Sequence, residues 1–261
     1  MTHPRPELGR RLLAEFVGTG FLVAVVVGSG IAAQTLSPGD TGLQLLENAA
    51  ATAAGLAALI LAFGPVSGGH FNPVVSICDA AFGGLAARDI PGYVTAQVGG
   101  AISGSIIANL MFELPAVEWS ETSRSGGGLW LAEVVATFGL VVVIFGVVRS
   151  GRTGVAPFAV GAYIGAAYFF TASTGFANPA VSVGRMFTDT FAGIAPSSVL
   201  AFVAFQLLGG ALAVVLVRAL YPDVAAVATD VVVPALHPPP ATDGRAEEAP
   251  PPSHSSRGGA S

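Results

Sequence analysis

Long apolar stretches with few charges follow one another along most of the chain. Six of them reach the length of about 20 residues that a bilayer core requires. They cover about residues 11–33, 46–64, 90–112, 129–149, 155–172 and 197–220. The first is too long for the apolar part of a cleaved signal peptide and contains Glu15. The pattern therefore predicts an all-α membrane protein with six transmembrane helices and both termini on one side.

Two shorter apolar segments begin at an Asn-Pro pair and are too short to span a membrane. They open with Asn72-Pro73-Val74, between the second and third spans, and with Asn178-Pro179-Ala180, between the fifth and sixth. Asn can accept the free N–H groups of a first helical turn, and Pro needs no partner there. Each segment is therefore predicted to be a re-entrant half-helix. Its Gly-rich approach must be buried in protein or line a wet cavity.

The second half of the chain repeats the first. Three pairs of residues correspond at separations of about 110 residues: Glu15 with Glu133, Asn72 with Asn178, and Gln97 with Gln206. Each repeat has three spans, an odd number, so the repeats, about residues 10–112 and 129–220, must insert with opposite orientations. The half-helices then enter from opposite faces and meet near the midplane. Because glutamates are costly in a membrane, we expect both to accept hydrogen bonds from the half-helix loops, with the glutamines as further structural support.

Charge gives the orientation. Charged residues make up only 10% of the 261 residues and hydrophobic ones 52%, which is typical of a multi-span membrane protein. With the N-terminus inside, most arginines face the cytoplasm and only Arg124 and Arg185 face outwards, so both termini are predicted to be cytoplasmic. Residues 222–261, rich in Pro, Ala, Ser and Gly, are predicted to form a disordered cytoplasmic tail after a transmembrane domain of residues 1–221.

Several motifs resemble those of the major intrinsic proteins, the aquaporins and aquaglyceroporins. They are Ser67-Gly68-Gly69-His70-Phe71-Asn72-Pro73, the second Asn-Pro-Ala, the paired glutamates and Ala96-Gln97-x-x-Gly100. The resemblance covers about residues 10–220. It implies an hourglass pore in each subunit of a homotetramer, in the lipid bilayer of a bacterial inner membrane. It also implies a passive channel rather than an enzyme, with no cofactor and no nucleic-acid partner. His70, next to the first Asn-Pro turn, is expected to be a pore-neck or loop-bracing residue, and because no second His lies nearby we expect no metal site.

The residues that would form the outer filter of such a pore depart from the family pattern. The family usually carries Arg directly after the second Asn-Pro-Ala, where this chain has Val181. The other filter positions that the resemblance assigns are Gly175, Thr52 and, on the fifth span, either Tyr168 or Ala166, depending on a small gap. Thr, Gly and Val predict a wide, weakly polar mouth. Such a mouth argues against selectivity for water alone, because excluding larger solutes needs bulk and a fixed donor.

A further resemblance concerns the solute. Residues 178–187 and 189–194 are similar to a branch of bacterial aquaglyceroporins associated with arsenic-resistance genes. This implies small neutral solutes, namely glycerol-like polyols, metalloid hydroxides such as arsenite, and water. A water channel with a relaxed filter is the alternative within the family. Outside it, the alternatives are a non-conducting structural membrane protein and an inverted-repeat secondary transporter, which is disfavoured because no charged residue accompanies the two asparagines.

The repeat also relates two charged residues. Asp79 and Arg185 each lie seven residues after the Asn of their repeat. Because seven residues are about two helical turns, each returns to nearly the face of its Asn. Asp79 is predicted to approach the cytoplasmic vestibule and Arg185 the external one, where Arg185 would substitute, farther out, for the missing filter Arg. The alternative is that both are ordinary half-helix end residues, in water or in a subunit contact.

Overall fold

The computed structural model describes residues 6–149 and 151–221. Within these residues the chain forms eight α-helices and no strand: α1 (Leu8–Leu36), α2 (Thr41–Ser67), α3 (Pro73–Phe82), α4 (Ile90–Met111), α5 (Gly127–Arg149), α6 (Ala156–Phe170), α7 (Pro179–Gly184) and α8 (Pro196–Leu220). Six helical segments are long and apolar enough to cross a membrane. The other two α-helices, α3 and α7, are too short to do so. The predicted all-α membrane fold with six spans is therefore confirmed. The predicted tail, residues 222–261, lies outside the described residues.

Both half-helices begin at the predicted residue. Asn72 precedes α3, and its Oδ1 accepts a hydrogen bond from Val74 N at 2.9 Å. Asn178 precedes α7, and its Oδ1 accepts hydrogen bonds from Ala180 N at 3.0 Å and from Val181 N at 3.3 Å. Each Asn side chain thus satisfies backbone N–H groups that have no partner in the first helical turn, and the Pro that follows leaves none at its own position.

The two half-helices end differently. α3 has ten residues and ends at Gly83, whose φ of 90° lies in the left-handed region that suits glycine. α7 has only six residues and continues into one 3₁₀ turn, Arg185–Phe187. A 3₁₀ turn is wound more tightly than an α-helix. The side chains beyond α7 therefore point in directions that a continued α-helix would not give them.

Glycines allow the long helices to cross closely. α1 packs along α4, where a Cβ atom at Gly104 would lie 2.1 Å from the carbonyl oxygen of Gly20. α5 packs along α8, where a Cβ atom at Gly209 would lie 2.5 Å from the carbonyl oxygen of Val134. Small residues at such crossings bring helix backbones into contact, which is how membrane helices associate without a hydrophobic driving force between them. Both half-helices pack against α4 and α8, so these close pairs hold them in place.

Val74 fits against another glycine of α8. Its side chain is fully buried, and a Cβ atom at Gly210 would lie 2.4 Å from Val74 Cγ1. Cys78, one turn further along α3, also faces Gly210, with its Sγ 3.7 Å from the carbonyl oxygen of that residue. The methyl groups of Val74 therefore occupy space that the absence of a side chain at Gly210 leaves open.

Candidate pore

The two half-helix loops are joined at the centre of the molecule by a crossed pair of hydrogen bonds. Asn72 Nδ2 donates to the carbonyl oxygen of Ala177 at 2.7 Å, and Asn178 Nδ2 donates to the carbonyl oxygen of Phe71 at 2.8 Å. Each acceptor is the residue immediately before the opposite Asn. Both asparagines are therefore fixed twice, because Oδ1 caps their own helix and Nδ2 binds the other loop.

The residues that supply these carbonyl groups have an unusual backbone. Phe71 and Ala177 both have a φ of 48°, in the left-handed region that residues with a side chain rarely adopt. Such a conformation costs of order 1–3 kcal/mol and persists only where the surroundings hold it. Here the conformation aims each carbonyl group at the opposite Asn side chain. The strain therefore lies at the point where the two repeats meet.

Glu15 holds the first of these loops from behind. Its Oε1 accepts hydrogen bonds from Ser67 Oγ at 2.6 Å and His70 N at 3.0 Å, and its Oε2 accepts from Phe71 N at 2.7 Å and Gln97 Nε2 at 2.8 Å. The carboxylate is fully buried. Four donors converge on it, which is the arrangement that lets a charged group remain inside a membrane protein.

Glu133 does the same for the second loop. Its Oε1 accepts a hydrogen bond from Phe176 N at 3.1 Å, and its Oε2 accepts from Ala177 N at 2.9 Å and Gln206 Nε2 at 2.5 Å. This carboxylate is also fully buried. The paired glutamates and glutamines thus lie where the repeat places them, each brought to its own half-helix loop.

Two serines complete these clusters, and the sequence analysis missed them. Gln97 Nε2 donates to Ser76 Oγ at 2.9 Å, and Gln206 Nε2 donates to Ser182 Oγ at 3.0 Å. Each serine hydroxyl also donates to the carbonyl oxygen of the Asn four residues earlier, at 3.2 Å in the first repeat and 2.9 Å in the second. The equal spacing of a serine from each Asn was the signal that could have found them.

A cavity with about 570 Å³ of empty space, part of which is open to solvent, is lined by both asparagines. Its walls are mainly aliphatic side chains from the spans, and Gly175, Phe176 and Val181 also line it. The polar and charged residues that line it are Thr52, His70, Asn72, Tyr168, Asn178 and Arg185. The other residues predicted to belong to the site lie outside this lining: Glu15, Pro73, Val74, Asp79, Gln97, Glu133, Pro179, Ala180 and Gln206. The cavity therefore presents a few polar groups along an otherwise apolar path.

The two fifth-span candidates, Tyr168 and Ala166, have different surroundings. Tyr168 is buried and lines the cavity, whereas Ala166 is exposed on the other side of α6. The hydroxyl groups of Tyr168 and Thr52 lie 3.0 Å apart and share a hydrogen bond. At Gly175, φ is 64° and a Cβ atom would lie 2.6 Å from Ala167 Cβ, so the loop requires glycine there. This end of the cavity is more polar than Thr, Gly and Val alone predict.

Arg185 lies at the same end of the cavity. Its side chain is buried, and its Nε donates a hydrogen bond to the carbonyl oxygen of Ala192. The guanidinium Cζ lies 3.5 Å from the centroid of the Phe176 ring. Arg124 approaches the same ring, with its Cζ 5.1 Å from the centroid, and burial lowers the pKa of Arg124 below its ordinary value. Arg185 is thus part of the cavity wall and not an exposed end residue.

His70 and Asp79 form the corresponding contact in the first repeat. His70 lines the cavity, and its Nε2 lies 3.5 Å from Asp79 Oδ2. Its Nδ1 lies 3.1 Å from Ser76 Oγ. Asp79 is buried and meets the cavity through His70. The expected approach of Asp79 to a vestibule is therefore indirect, because the imidazole occupies the wall in front of the carboxylate.

Comparisons with known proteins agree with this geometry. Residues 3–190 match the family model described as Major intrinsic protein. The chain is 51% identical over 212 residues to Aquaglyceroporin AqpS of Rhizobium meliloti, covering 81% of this chain and 90% of that protein. It is 31% identical over 224 residues to the Glycerol uptake facilitator protein of Pseudomonas aeruginosa, covering 74% and 78%. The X-ray structure of the aquaglyceroporin from Plasmodium falciparum has the same fold, with a TM-score of 0.67, 24% identity, and coverage of 84% of this chain and 100% of that one.

Proposed function

This chain belongs to the major intrinsic protein family, and we propose that it conducts small uncharged solutes, namely glycerol-like polyols, metalloid hydroxides such as arsenite, and water. It is a multi-pass membrane channel and not an enzyme. The observation that carries the choice of solutes is the cavity, which passes both asparagines and has a mainly apolar wall with a few polar groups. Such a path suits molecules that have both C–H and hydroxyl surfaces.

The asparagines supply donors to a solute at the centre of the path. An Asn amide has two N–H donors, and one of them is bound by the carbonyl group of the opposite loop. The other N–H of Asn72 and of Asn178 is available to a solute oxygen, in place of the water that the solute has left. Both Oδ1 atoms are occupied by helix capping. The centre therefore offers donors, and with the positive ends of two half-helices it disfavours cations.

The mouth sets the size and polarity that the solute must have. We propose that Thr52, Tyr168, Gly175 and Val181 form the selectivity filter, since all four line the cavity. The hydroxyl groups of Thr52 and Tyr168 offer both donors and acceptors to a solute hydroxyl group. Val181 supplies neither a donor nor the length of an Arg side chain. A filter of this kind admits a three-carbon polyol as well as water.

The setting of the channel is part of the proposal. The excess of arginines on one side supports cytoplasmic termini in a bacterial plasma membrane, with the Arg185 end of the cavity outside. Large apolar side chains cover the outer surface, Leu36, Leu200 and Val215 among them. In a membrane channel such a surface faces lipid or neighbouring subunits, which is consistent with the homotetramer that family membership suggests.

Flux into proteoliposomes tests the proposal. The full chain is reconstituted, and uptake of water, glycerol and arsenite is compared with empty vesicles by stopped-flow light scattering and by arsenic analysis. We expect all three rates to rise, with no dependence on an imposed proton or sodium gradient. A rise in water alone would favour the water channel with a relaxed filter. Dependence on an ion gradient would favour the secondary transporter, and no rise at all would favour a structural protein.

A further inference from the structure

Arg185 is a buried cation on the wall of the cavity. Its side chain is 3% exposed, and it lines the cavity at the end that carries Thr52 and Tyr168. Among the described residues, the carbonyl oxygen of Ala192 is the hydrogen-bond acceptor of this side chain, and it is bonded to Nε. The Nη atoms of a guanidinium carry four further N–H donors. These donors are placed where a solute in the mouth can accept from them.

No carboxylate forms an ion pair with Arg185 in the part of the chain that the structure describes. Glu133 acts on it electrostatically, but that carboxylate already accepts hydrogen bonds from two backbone N–H groups and from Gln206. Arg124 adds a second positive charge nearby. The mouth is therefore positively charged, and a solute in it is not shielded from that charge by a paired anion.

Phe176 holds the guanidinium without neutralising it. The distance of 3.5 Å between Arg185 Cζ and the ring centroid is well within the range of about 6 Å for a cation–π contact. The ring itself is fixed, because it packs edge-on against Phe202 at 5.2 Å and because Phe176 N donates to Glu133. An aromatic ring attracts a cation through its quadrupole and leaves the net charge in place.

The first repeat shows that this contact is built into the fold. Phe176 and His70 each lie two residues before the Asn of their repeat, and Arg185 and Asp79 each lie seven residues after it. These two positions are in contact in both repeats. His70 Nε2 lies 3.5 Å from Asp79 Oδ2, and Arg185 Cζ lies 3.5 Å from the centroid of the Phe176 ring. In the first repeat Asp79 contacts the imidazole of His70, which can carry the opposite charge. In the second repeat Arg185 contacts the ring of Phe176, which carries no charge, so the positive charge of the guanidinium is not neutralised.

We propose that Arg185 is the specificity-determining cation of this pore. Its guanidinium repels cations at the mouth and donates hydrogen bonds to the hydroxyl oxygens of neutral solutes, beside the hydroxyl groups of Thr52 and Tyr168. Because Val181 follows the second Asn-Pro-Ala, the charge acts a turn farther along the chain and the path next to the motif stays open. The inference rests on the proposed function, since it assigns selectivity to the same cavity.

The test compares a neutral solute with a cation of nearly the same size and shape. Fluxes of urea and of guanidinium are measured in proteoliposomes that contain the full chain, Arg185→Gln or Arg185→Lys, with glycerol flux as the measure of an intact pore. Removing the charge in Arg185→Gln is expected to raise the ratio of guanidinium to urea flux by about tenfold or more, because an uncompensated charge at contact distance is removed. Arg185→Lys keeps the charge and is expected to keep the parent ratio.

Arg218 provides the matched control. It also donates to a backbone carbonyl group, that of Ala81, and also lies over an aromatic ring, with its Cζ 6.0 Å from the centroid of Phe82, but it does not line the cavity. Arg218→Gln is expected to leave the flux ratio unchanged. Should Arg185→Gln fail to assemble, Arg185→Met is the second uncharged variant and has the same expected result.

Two results would overturn the inference. One is an uncharged variant that assembles, conducts glycerol and excludes guanidinium as the parent does. The other is Arg185→Lys with the flux ratio of the uncharged variant, which would mean that the shape of the side chain and not its charge sets the ratio. Failure of the proposed function is seen separately, because the parent chain would then not conduct glycerol.

Discussion

Replacing Asn178 by Asp tests the donors at the centre of the pore. In the parent chain, Asn178 Oδ1 caps α7, and Nδ2 donates to the carbonyl oxygen of Phe71 at 2.8 Å. Asp keeps the cap, because a carboxylate oxygen accepts the same N–H groups. The second carboxylate oxygen then faces the Phe71 carbonyl oxygen, and because neither oxygen carries a hydrogen, the hydrogen bond is lost. The variant therefore replaces a donor by a negative charge at the midplane.

The size of the effect follows from three contributions. The lost hydrogen bond costs about 1 kcal/mol, and burial of an unpaired carboxylate costs several kcal/mol more. A monovalent cation about 4 Å from this carboxylate regains about 4 kcal/mol at an effective dielectric constant near 20. That attraction alone corresponds to roughly a thousandfold gain in cation occupancy, of which dehydration of the cation removes a part. We therefore expect sodium leak through Asn178→Asp to rise by at least about tenfold.

Sodium uptake into proteoliposomes with an entrapped sodium-sensitive dye measures the leak. Asn48→Asp is the control, because Asn48 is also buried and its Nδ2 also donates to a backbone carbonyl group, that of Val26, at 2.8 Å, but Asn48 does not line the cavity. We expect both variants to lose thermal stability and only Asn178→Asp to leak. If Asn178→Asp assembles and leaks no more sodium than Asn48→Asp, the cation barrier lies elsewhere in the pore.

Two further predictions concern support of the half-helices. Glu133→Gln should lower the free energy of unfolding by about 1–3 kcal/mol, because its one amide oxygen cannot accept from both Phe176 N and the donors on Oε2. Size-exclusion chromatography after heating shows the lower stability as a loss of folded protein. Stability equal to that of the parent would contradict the role of the carboxylate. Gly210→Ala should cost about 1–3 kcal/mol through its clash with Val74 Cγ1, and adding Val74→Ala should recover much of it in the same assay. Absence of recovery would mean that another contact limits this crossing.

The sequence predicted the helices well because their signals are local. The length of each apolar stretch gave the spans, and the Asn-Pro pairs gave the starts of α3 and α7, since capping depends only on the first turn. The repeat also located Glu15 and Glu133, because an acidic residue inside a span needs donors, and the half-helix loops are the segments with free N–H groups.

The features that the sequence left open depend on contacts between distant segments. Tyr168 and Ala166 could not be distinguished by counting, since the choice depends on how α6 rotates against α2. The contact of Asp79 with His70 and that of Arg185 with Phe176 depend on how each half-helix ends, and α7 is shorter than α3. The left-handed backbone of Phe71 arises from the opposite repeat and has no signal in its own residue type.

Val181→Arg tests the central claim most directly. The claim is that solutes pass the mouth of the cavity formed by Thr52, Tyr168, Gly175 and Val181, and that the width of this mouth determines which solutes are conducted. The variant places a long cationic side chain on the cavity wall that Thr52 and Tyr168 also line. Water, glycerol and arsenite fluxes are measured in the same preparation of proteoliposomes, with the amount of assembled protein matched to the parent. We expect glycerol and arsenite fluxes to fall much more than water flux. Unchanged glycerol and arsenite fluxes in an assembled variant would contradict it, because the filter would then lie somewhere else.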